Sequence, residues 1–307
     1  MDRSEITAAV AVRLVAEQFP QWADLPVVPV DHNGWDNTTF RLGEGLSVRL
    51  PSGDGYAAQV EKEHRWLPVL ARRLPVRIPE PVAVGKPNDE YPWPWSIYRW
   101  IEGIPASVDP PSDLSALAAD LARFLTALYS IDASGGPPAG PHSASRGGPL
   151  TRWDEWTRES IELLAGDVDE KAVTEVWETA LASTWDKAPV WVHGDVAGSN
   201  LLVAEGELCA VIDFGCSAVG DPACDLVVTW MFFDGHSGEQ FRCGLPLDEA
   251  TWARGRGWAL WKALVTLAGG KERAGHAEAA ARRMGWRHSP RQIVDLVLTD
   301  HRRSGRT

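Results

Sequence analysis

The stretch His193-Gly194-Asp195-Val196-Ala197-Gly198-Ser199-Asn200-Leu201-Leu202-Val203, closed by Val211-Ile212-Asp213-Phe214-Gly215, decides how this chain reads. It sets two carboxylates and an amide in fixed order around short apolar runs. Metal-assisted phosphoryl transfer uses such a set: one carboxylate for the proton of the attacking hydroxyl, and an amide and a second carboxylate for divalent cations. Asp195 and Asn200 are joined by a loop containing Gly198 and Ser199, which lets both side chains face one pocket. Residues 201–203 and 209–212 read as paired strands around Glu205-Gly206-Glu207, a hairpin that returns Asp213 beside Asn200. A His-Gly-Asp turn or an Asp-Phe-Gly is common by itself. The ordered set points to a kinase of small molecules over a binding module.

The rest of the chain supplies a frame for this run. Residues 6–19 carry apolar side chains at helical spacing, with Pro20 as a stop. Residues 38–42 and 46–50 read as strands across a Gly43-Glu44-Gly45 turn, residues 56–74 as a helix, and residues 79–85 and 95–100 as two more strands. A small lobe of sheet plus helix thus ends near residue 100, with Ile101-Glu102-Gly103-Ile104-Pro105 as a linker. Beyond it, helices are expected at 114–129 (with Asp113 near its start), 153–164, 171–183, 225–233, 252–267, 274–284 and 290–298. Residues 134–149, rich in Gly, Pro and Ser, read as a mobile surface loop. The fold expected is α+β and bilobal: residues 1–100 for a nucleotide, residues 101–307 for catalysis and the acceptor.

Composition narrows the classes further. The chain has 307 residues, 44% of them hydrophobic and 23% charged, as in ordinary globular proteins. A net charge of -12 without a basic tract excludes a nucleic-acid backbone as partner and would favour a cationic substrate at an acidic surface. The four cysteines (Cys209, Cys216, Cys224, Cys243) form no CxxC pair, which suits reduced thiols in the cytoplasm. The N-terminus lacks the pattern of a signal peptide, and no run approaches a membrane span. A monomer or a weak homodimer is expected.

The ordered set resembles the aminoglycoside phosphotransferase family, antibiotic kinases that include macrolide phosphotransferases and share their core with protein kinases. The resemblance spans about residues 25–300 and is most specific from His193 to Asp225. It implies ATP or GTP with magnesium, Asp195 as the catalytic base, Asn200 and Asp213 as metal ligands, and His193 as support for the catalytic loop. Asp221 and Asp225, in Gly220-Asp221-Pro222-Ala223-Cys224-Asp225, would brace that loop. Gly34-Trp35-Asp36-Asn37-Thr38-Thr39-Phe40 resembles the phosphate-covering hairpin loop, with backbone groups near Asp36 and Asn37 toward phosphate. Where the family has a phosphate-pairing lysine this chain has Arg49, which keeps the charge and can bind phosphate bidentately. Glu63 is its expected ion-pair partner and Glu61 the weaker choice. Tyr98-Arg99-Trp100-Ile101 fits the hinge, with backbone near Arg99 and Trp100 reading the purine edge.

The acceptor is expected on the C-terminal helices, where Asp195 opens. Trp230, Asp234, Trp258 and Trp261 are candidates, with Glu239 as a further acid. Trp258 and Trp261 share a helix face and serve equally as core. The acceptor hydroxyl would belong to an aminoglycoside, a macrolide or a related antibiotic, cationic ones included. The alternatives are a metabolic kinase of the choline, homoserine or sugar type, and a silent nucleotide-binding protein, for which only Arg49 speaks.

Overall fold

The computed structural model describes residues 1–31, 33–271 and 275–305. The chain folds into two compact units. The first holds Met1–Glu102 with Asp213–Gly215, and the second holds Gly103–Ile212 with Cys216–Thr307. The architecture is bilobal, with a sheet-rich N-terminal lobe and a mostly helical C-terminal lobe. That Asp213, Phe214 and Gly215 group with the first unit is not visible in the sequence order.

The first unit runs α1 (Ala8–Gln18), β1 (Val27–Pro29), β2 (Asn37–Leu42), β3 (Leu46–Pro51), α2 (Asp54–Leu70), β4 (Pro81–Gly85) and β5 (Trp95–Arg99). The five strands form one antiparallel sheet in the order β1-β2-β3-β5-β4. Val10, Leu14 and Val15 of α1 join Phe40, Leu42, Val48, Leu50, Trp95 and Ile97 of the strands in one buried core. The alternation along β3 turns Val48 and Leu50 inward and leaves Arg49 on the opposite face, where α2 presents Glu63.

The second unit begins with β6 (Ile104–Pro105), inside the expected linker, and continues with α3 (Leu114–Ser130), α4 (Asp154–Leu163), α5 (Glu170–Leu181), β7 (Val190–Val192), β8 (Leu201–Ala204), β9 (Glu207–Val211) and β10 (Ala218–Gly220). It ends with α6 (Val228–Met231), α7 (Gly235–Cys243), α8 (Glu249–Gly270), α9 (His276–Arg283) and α10 (Pro290–Ser304). The helix expected over 274–284 is α9, and Ala274 lies outside the described residues. Residues 222–227 form a 3-10 helix ahead of α6. The expected β8–β9 hairpin forms, and the Ile212 N–H donates to the Asn200 carbonyl at 2.9 Å.

Residues 134–149 are not a loose surface loop. The Val219 N–H donates to the Pro137 carbonyl, the Ala139 N–H to the Val219 carbonyl, and the Asp221 N–H to the Gly147 carbonyl, so the segment is laced along β10. Ser143 is fully buried. The Gly, Pro and Ser content serves tight turns in a packed segment.

Helix α8 is buried on nearly every side and packs against α4, α5, α9 and α10. Its charged residues therefore need partners. Arg254 is held by Asp221 at 2.6 Å, and Arg256 by Asp300 at 3.1 Å and Glu249 at 2.5 Å. Asp248 caps its start, accepting from the Thr251 N–H at 2.8 Å and from Lys187 at 2.5 Å. Lys187 and Thr251 hold the Asp248 carboxyl well below the usual carboxylate range. Replacing Asp248 by Ala is expected to cost about 1 kcal/mol at neutral pH. A carboxyl depressed by folding stabilises the fold while ionised, so this loss should shrink as the pH falls through and below the ordinary carboxylate value. Urea unfolding of both proteins at neutral and acid pH checks it; a difference that stays constant in acid contradicts the assignment.

Candidate active site

In the first unit the geometry centres on Arg49. Its Nη1 lies 3.5 Å from Glu63 Oε2 and its Nη2 lies 3.6 Å from Asp213 Oδ1. Its guanidinium also stands over the Tyr98 ring at 5.4 Å, and the Tyr98 hydroxyl donates to Glu63. Burial alone would weaken the cation, but Glu63, Asp213, Tyr98 and Asp36 outweigh it and push the Arg49 pKa above its ordinary value. Glu63 is buried and pairs with Arg49, whereas Glu61 is exposed to solvent. Asp213 has φ 65°, a left-handed conformation uncommon for a residue with a side chain. A held backbone of this kind aims a carboxylate where free rotation would not.

The loop before β2 lies close to that carboxylate. A Cβ built on Gly34 would sit 4.0 Å from Asp213 Oδ2. Asp36 accepts a hydrogen bond from the Gln59 amide at 3.1 Å, and its carbonyl accepts from the Ser52 N–H at 2.8 Å. Asn37 is buried at the start of β2. The Arg99 and Trp100 N–H groups are committed to the carbonyls of Glu80 and Gly45, both at 2.9 Å. The sheet thus takes up these two donors, while the carbonyls here and the backbone that follows are not engaged by these bonds. The Arg99 side chain pairs with Glu80 at 2.8 Å, and the Trp100 ring lies under Arg41 at 4.7 Å.

In the second unit the loop from His193 to Asn200 is built around a buried carboxylate. Asp225 is fully buried and accepts from the N–H groups of His193 at 3.0 Å and Gly194 at 2.7 Å. The Tyr129 hydroxyl adds a longer contact at 3.4 Å. Burial pushes the Asp225 carboxyl up, and the donors around it only partly counter that. His193 is fully buried, with Nε2 3.0 Å from the Ile212 carbonyl. Gly194 adopts φ 82°, and a Cβ there would meet the Cys216 carbonyl at 2.4 Å and the Arg146 side chain at 2.9 Å. Only glycine fits. Asp221 caps the 3-10 helix at 222–227 by accepting from the Ala223 N–H at 3.0 Å, while holding Arg254.

The loop leaves Asp195 partly open, its side chain 39% exposed. Asn200 Nδ2 donates to the Asp195 carbonyl at 2.9 Å, which leaves Asn200 Oδ1 as an oxygen donor for a cation. Lys262 of α8 reaches Asp195 Oδ1 at 3.3 Å. Desolvation would raise the Asp195 carboxyl, but Lys262, Arg146 and His193 more than offset it and hold it below the ordinary value. Asp195 is therefore ionised at neutral pH, as a proton acceptor must be.

The acceptor candidates occupy different settings. Trp258 and Trp261 are buried in a cluster where Trp153 stacks on Trp261 at 4.3 Å. Trp230 is buried against Trp252. Asp234 caps α7 through Ser237 and pairs with Arg287 at 3.3 Å, so its carboxylate is engaged within the fold. Glu239 is exposed on α7. Sequence reasoning missed Lys262 and Arg146. A lysine inside an otherwise buried helix signals a partnered charge; nothing in the composition of residues 134–149 singles out Arg146.

Each unit offers an oxygen of the kind magnesium takes: the Asp213 carboxylate beside the buried Arg49 cation in the first, and the Asn200 amide oxygen in the second. Magnesium takes few protein carboxylates and completes its shell with phosphate and water. The chain belongs to the phosphotransferase enzyme family, which matches it over residues 27–258. It is 23% identical over 238 residues to hygromycin-B 4-O-kinase of Escherichia coli, a match covering 72% of this chain and 66% of that protein's length, just under two thirds. The GDP and kanamycin complex of APH(2")-IIia has the same fold, with a TM-score of 0.70 at 20% identity, covering 95% of this chain and 98% of that one. The macrolide 2'-phosphotransferase MphH from Brachybacterium faecium follows at a TM-score of 0.60 and 21% identity, covering 90% and 97%. Among the described residues, no helix is long and apolar enough to cross a membrane.

Proposed function

We propose that this protein transfers the terminal phosphate of ATP or GTP to a hydroxyl of a small molecule, with Asp195 as the base. The observation that carries the reading is the state of Asp195: ionised, partly open, and set on a loop that Asp225 fixes from behind. A hydroxyl entering beside it would donate its proton to the carboxylate as its oxygen attacks. Asn200 and Asp213 would hold magnesium, which when bound supplies electrostatic stabilisation of the transferred phosphoryl group. Arg49, kept charged by Glu63 and Asp213, would neutralise the nucleotide phosphates. His193, through its ring contact to the Ile212 carbonyl, would keep the catalytic loop against the β8–β9 hairpin. The purine edge would be read from the backbone beyond Trp100. The named relatives make aminoglycoside and macrolide antibiotics the first acceptors to test, with choline, homoserine and simple sugars as the metabolic alternatives.

The test is a transfer screen with purified protein, magnesium and either nucleotide, reading phosphorylated product by mass. Nucleotide bound without transfer to any acceptor or to water would contradict the reading. Replacing Arg49 by Met is expected to raise the nucleotide KM by about tenfold or more, since a charge-assisted phosphate contact is lost. Stability should fall as well, because the buried Glu63 carboxylate loses its cation and keeps only the Tyr98 hydroxyl, so the KM is read at a temperature where the variant is folded. A nucleotide KM equal to that of the unmodified protein would remove Arg49 from the phosphate site.

A further inference from the structure

Arg146 and Lys262 are two cations that act on Asp195 within the second unit. Lys262 Nζ is 3.3 Å from Asp195 Oδ1, and its side chain is only 12% exposed. Arg146 sits against Gly194, the residue before Asp195, where its Cβ would be 2.9 Å from an added Cβ. Its guanidinium is walled by three indoles: Trp261 at 4.9 Å, Trp258 at 5.2 Å and Trp153 at 5.9 Å. Arg146 Nε and Nη1 are buried without a hydrogen-bond partner among the described residues, so the ring faces are what complement them. The stacked rings fix the cation in place, and a guanidinium stays protonated in any protein setting.

This arrangement decides what kind of acceptor can approach. The attraction of Asp195 for a positive group is already met by Lys262. With Asp195 and Lys262 compensating each other, an ammonium arriving next to the reacting hydroxyl would face the surplus Arg146 cation at low dielectric. A polyol brings no such penalty, and a carboxylate or phosphate on the acceptor would be drawn to Arg146. The net charge of -12 attracts cations to the molecule from afar, whereas Arg146 and Lys262 both stabilise negative charge at Asp195.

We propose that the Arg146–Lys262 pair makes this chain a kinase for oxygen-rich acceptors that carry no ammonium beside the reacting hydroxyl, such as polyols and hydroxy acids, and turns polycationic aminoglycosides away. This rests on the phosphotransfer reading of Asp195 and reverses the expectation of a cationic substrate. Lys262 is a positioning residue for Asp195, and Arg146 acts on the acceptor through its charge.

The probes are kanamycin, a polycation, and gluconate, a polyhydroxylated carboxylate. Their affinities are measured by calorimetry on the full chain and on Arg146→Met, Lys262→Met and Lys262→Arg. Arg146→Met leaves the Asp195–Lys262 pair intact and so tests the charge without breaking that pair. Each loss of a cation is expected to tighten kanamycin by about tenfold and to weaken gluconate, since one charge is removed at close range. Lys262→Arg should behave as the unmodified protein. If Arg146→Met leaves kanamycin affinity unchanged or weaker, or if the unmodified protein phosphorylates kanamycin with a micromolar KM, the proposal is overturned. Nucleotide binding, measured in parallel, separates the two levels: its absence defeats the phosphotransfer reading itself, whereas its presence with an unresponsive kanamycin affinity defeats only the charge selection.

Discussion

Replacing Asp195 by Asn is expected to lower the rate of phosphoryl transfer by about 10²–10⁴-fold, the usual worth of a positioned general base. The substitution keeps the size of the side chain and removes its charge and its ability to take a proton. Arg49, Glu63 and Asp213, which carry the proposed phosphate contacts, belong to the first unit and do not depend on Asp195. Nucleotide affinity should therefore stay within about twofold, since no charge-assisted phosphate contact is lost. Lys262 would lose its counter-charge, so some loss of stability is expected beside the loss of activity. Turnover and nucleotide titration on the same preparation separate the two effects. A variant that still transfers phosphate at the original rate would take the base away from Asp195.

Asp225→Ala should be the most destabilising single change around the site. The carboxylate accepts two backbone N–H groups, from His193 and Gly194, in a fully buried position. Removing it leaves both donors without an acceptor away from water, at about 1–3 kcal/mol each. A total near 4 kcal/mol is the expectation, read as a shift of the urea midpoint. The loop carrying Asp195 would also relax, and a displacement of about 1 Å at a reacting group costs about 10²-fold in rate. Asp225→Asn retains one acceptor oxygen but turns an amide N–H toward a backbone donor, so it should fall between the two. A change of stability for Asp225→Ala within about 0.5 kcal/mol, the range of surface substitutions, would show that the loop does not rest on this carboxylate.

The run from His193 to Gly215 was readable because its pattern is local. Asp195, Asn200 and Asp213 sit at the ends of short apolar segments, and the turn at Glu205-Gly206 folds β8 onto β9 as the alternation predicts. Arg49 and Glu63 were reached through the family resemblance, which points to a cation on β3 and an acid on the following helix, and the two side chains lie 3.5 Å apart. What escaped was long-range. Arg146 lies in a segment whose Gly, Pro and Ser content describes its turns but not the β10 backbone it packs on. Lys262 shows in the sequence as a charge in a buried helix, but its partner lies 67 positions away. The indoles of Trp258 and Trp261 read as either pocket or core; in the fold they are core on one side and the seat of Arg146 on the other. That the Arg99 and Trp100 N–H groups are taken up by Glu80 and Gly45 follows from the sheet order, with β5 between β3 and β4, which the sequence does not display.

The most direct test of the phosphotransfer reading is single-turnover transfer from ATP or GTP with magnesium, comparing the unmodified protein with Asp195→Asn over a panel of hydroxylated acceptors and water. The account predicts a product one phosphoryl group heavier than its acceptor, formed by the unmodified protein and suppressed in Asp195→Asn while nucleotide still binds. Nucleotide bound by both proteins, with no phosphate passed to any acceptor or to water, would contradict it.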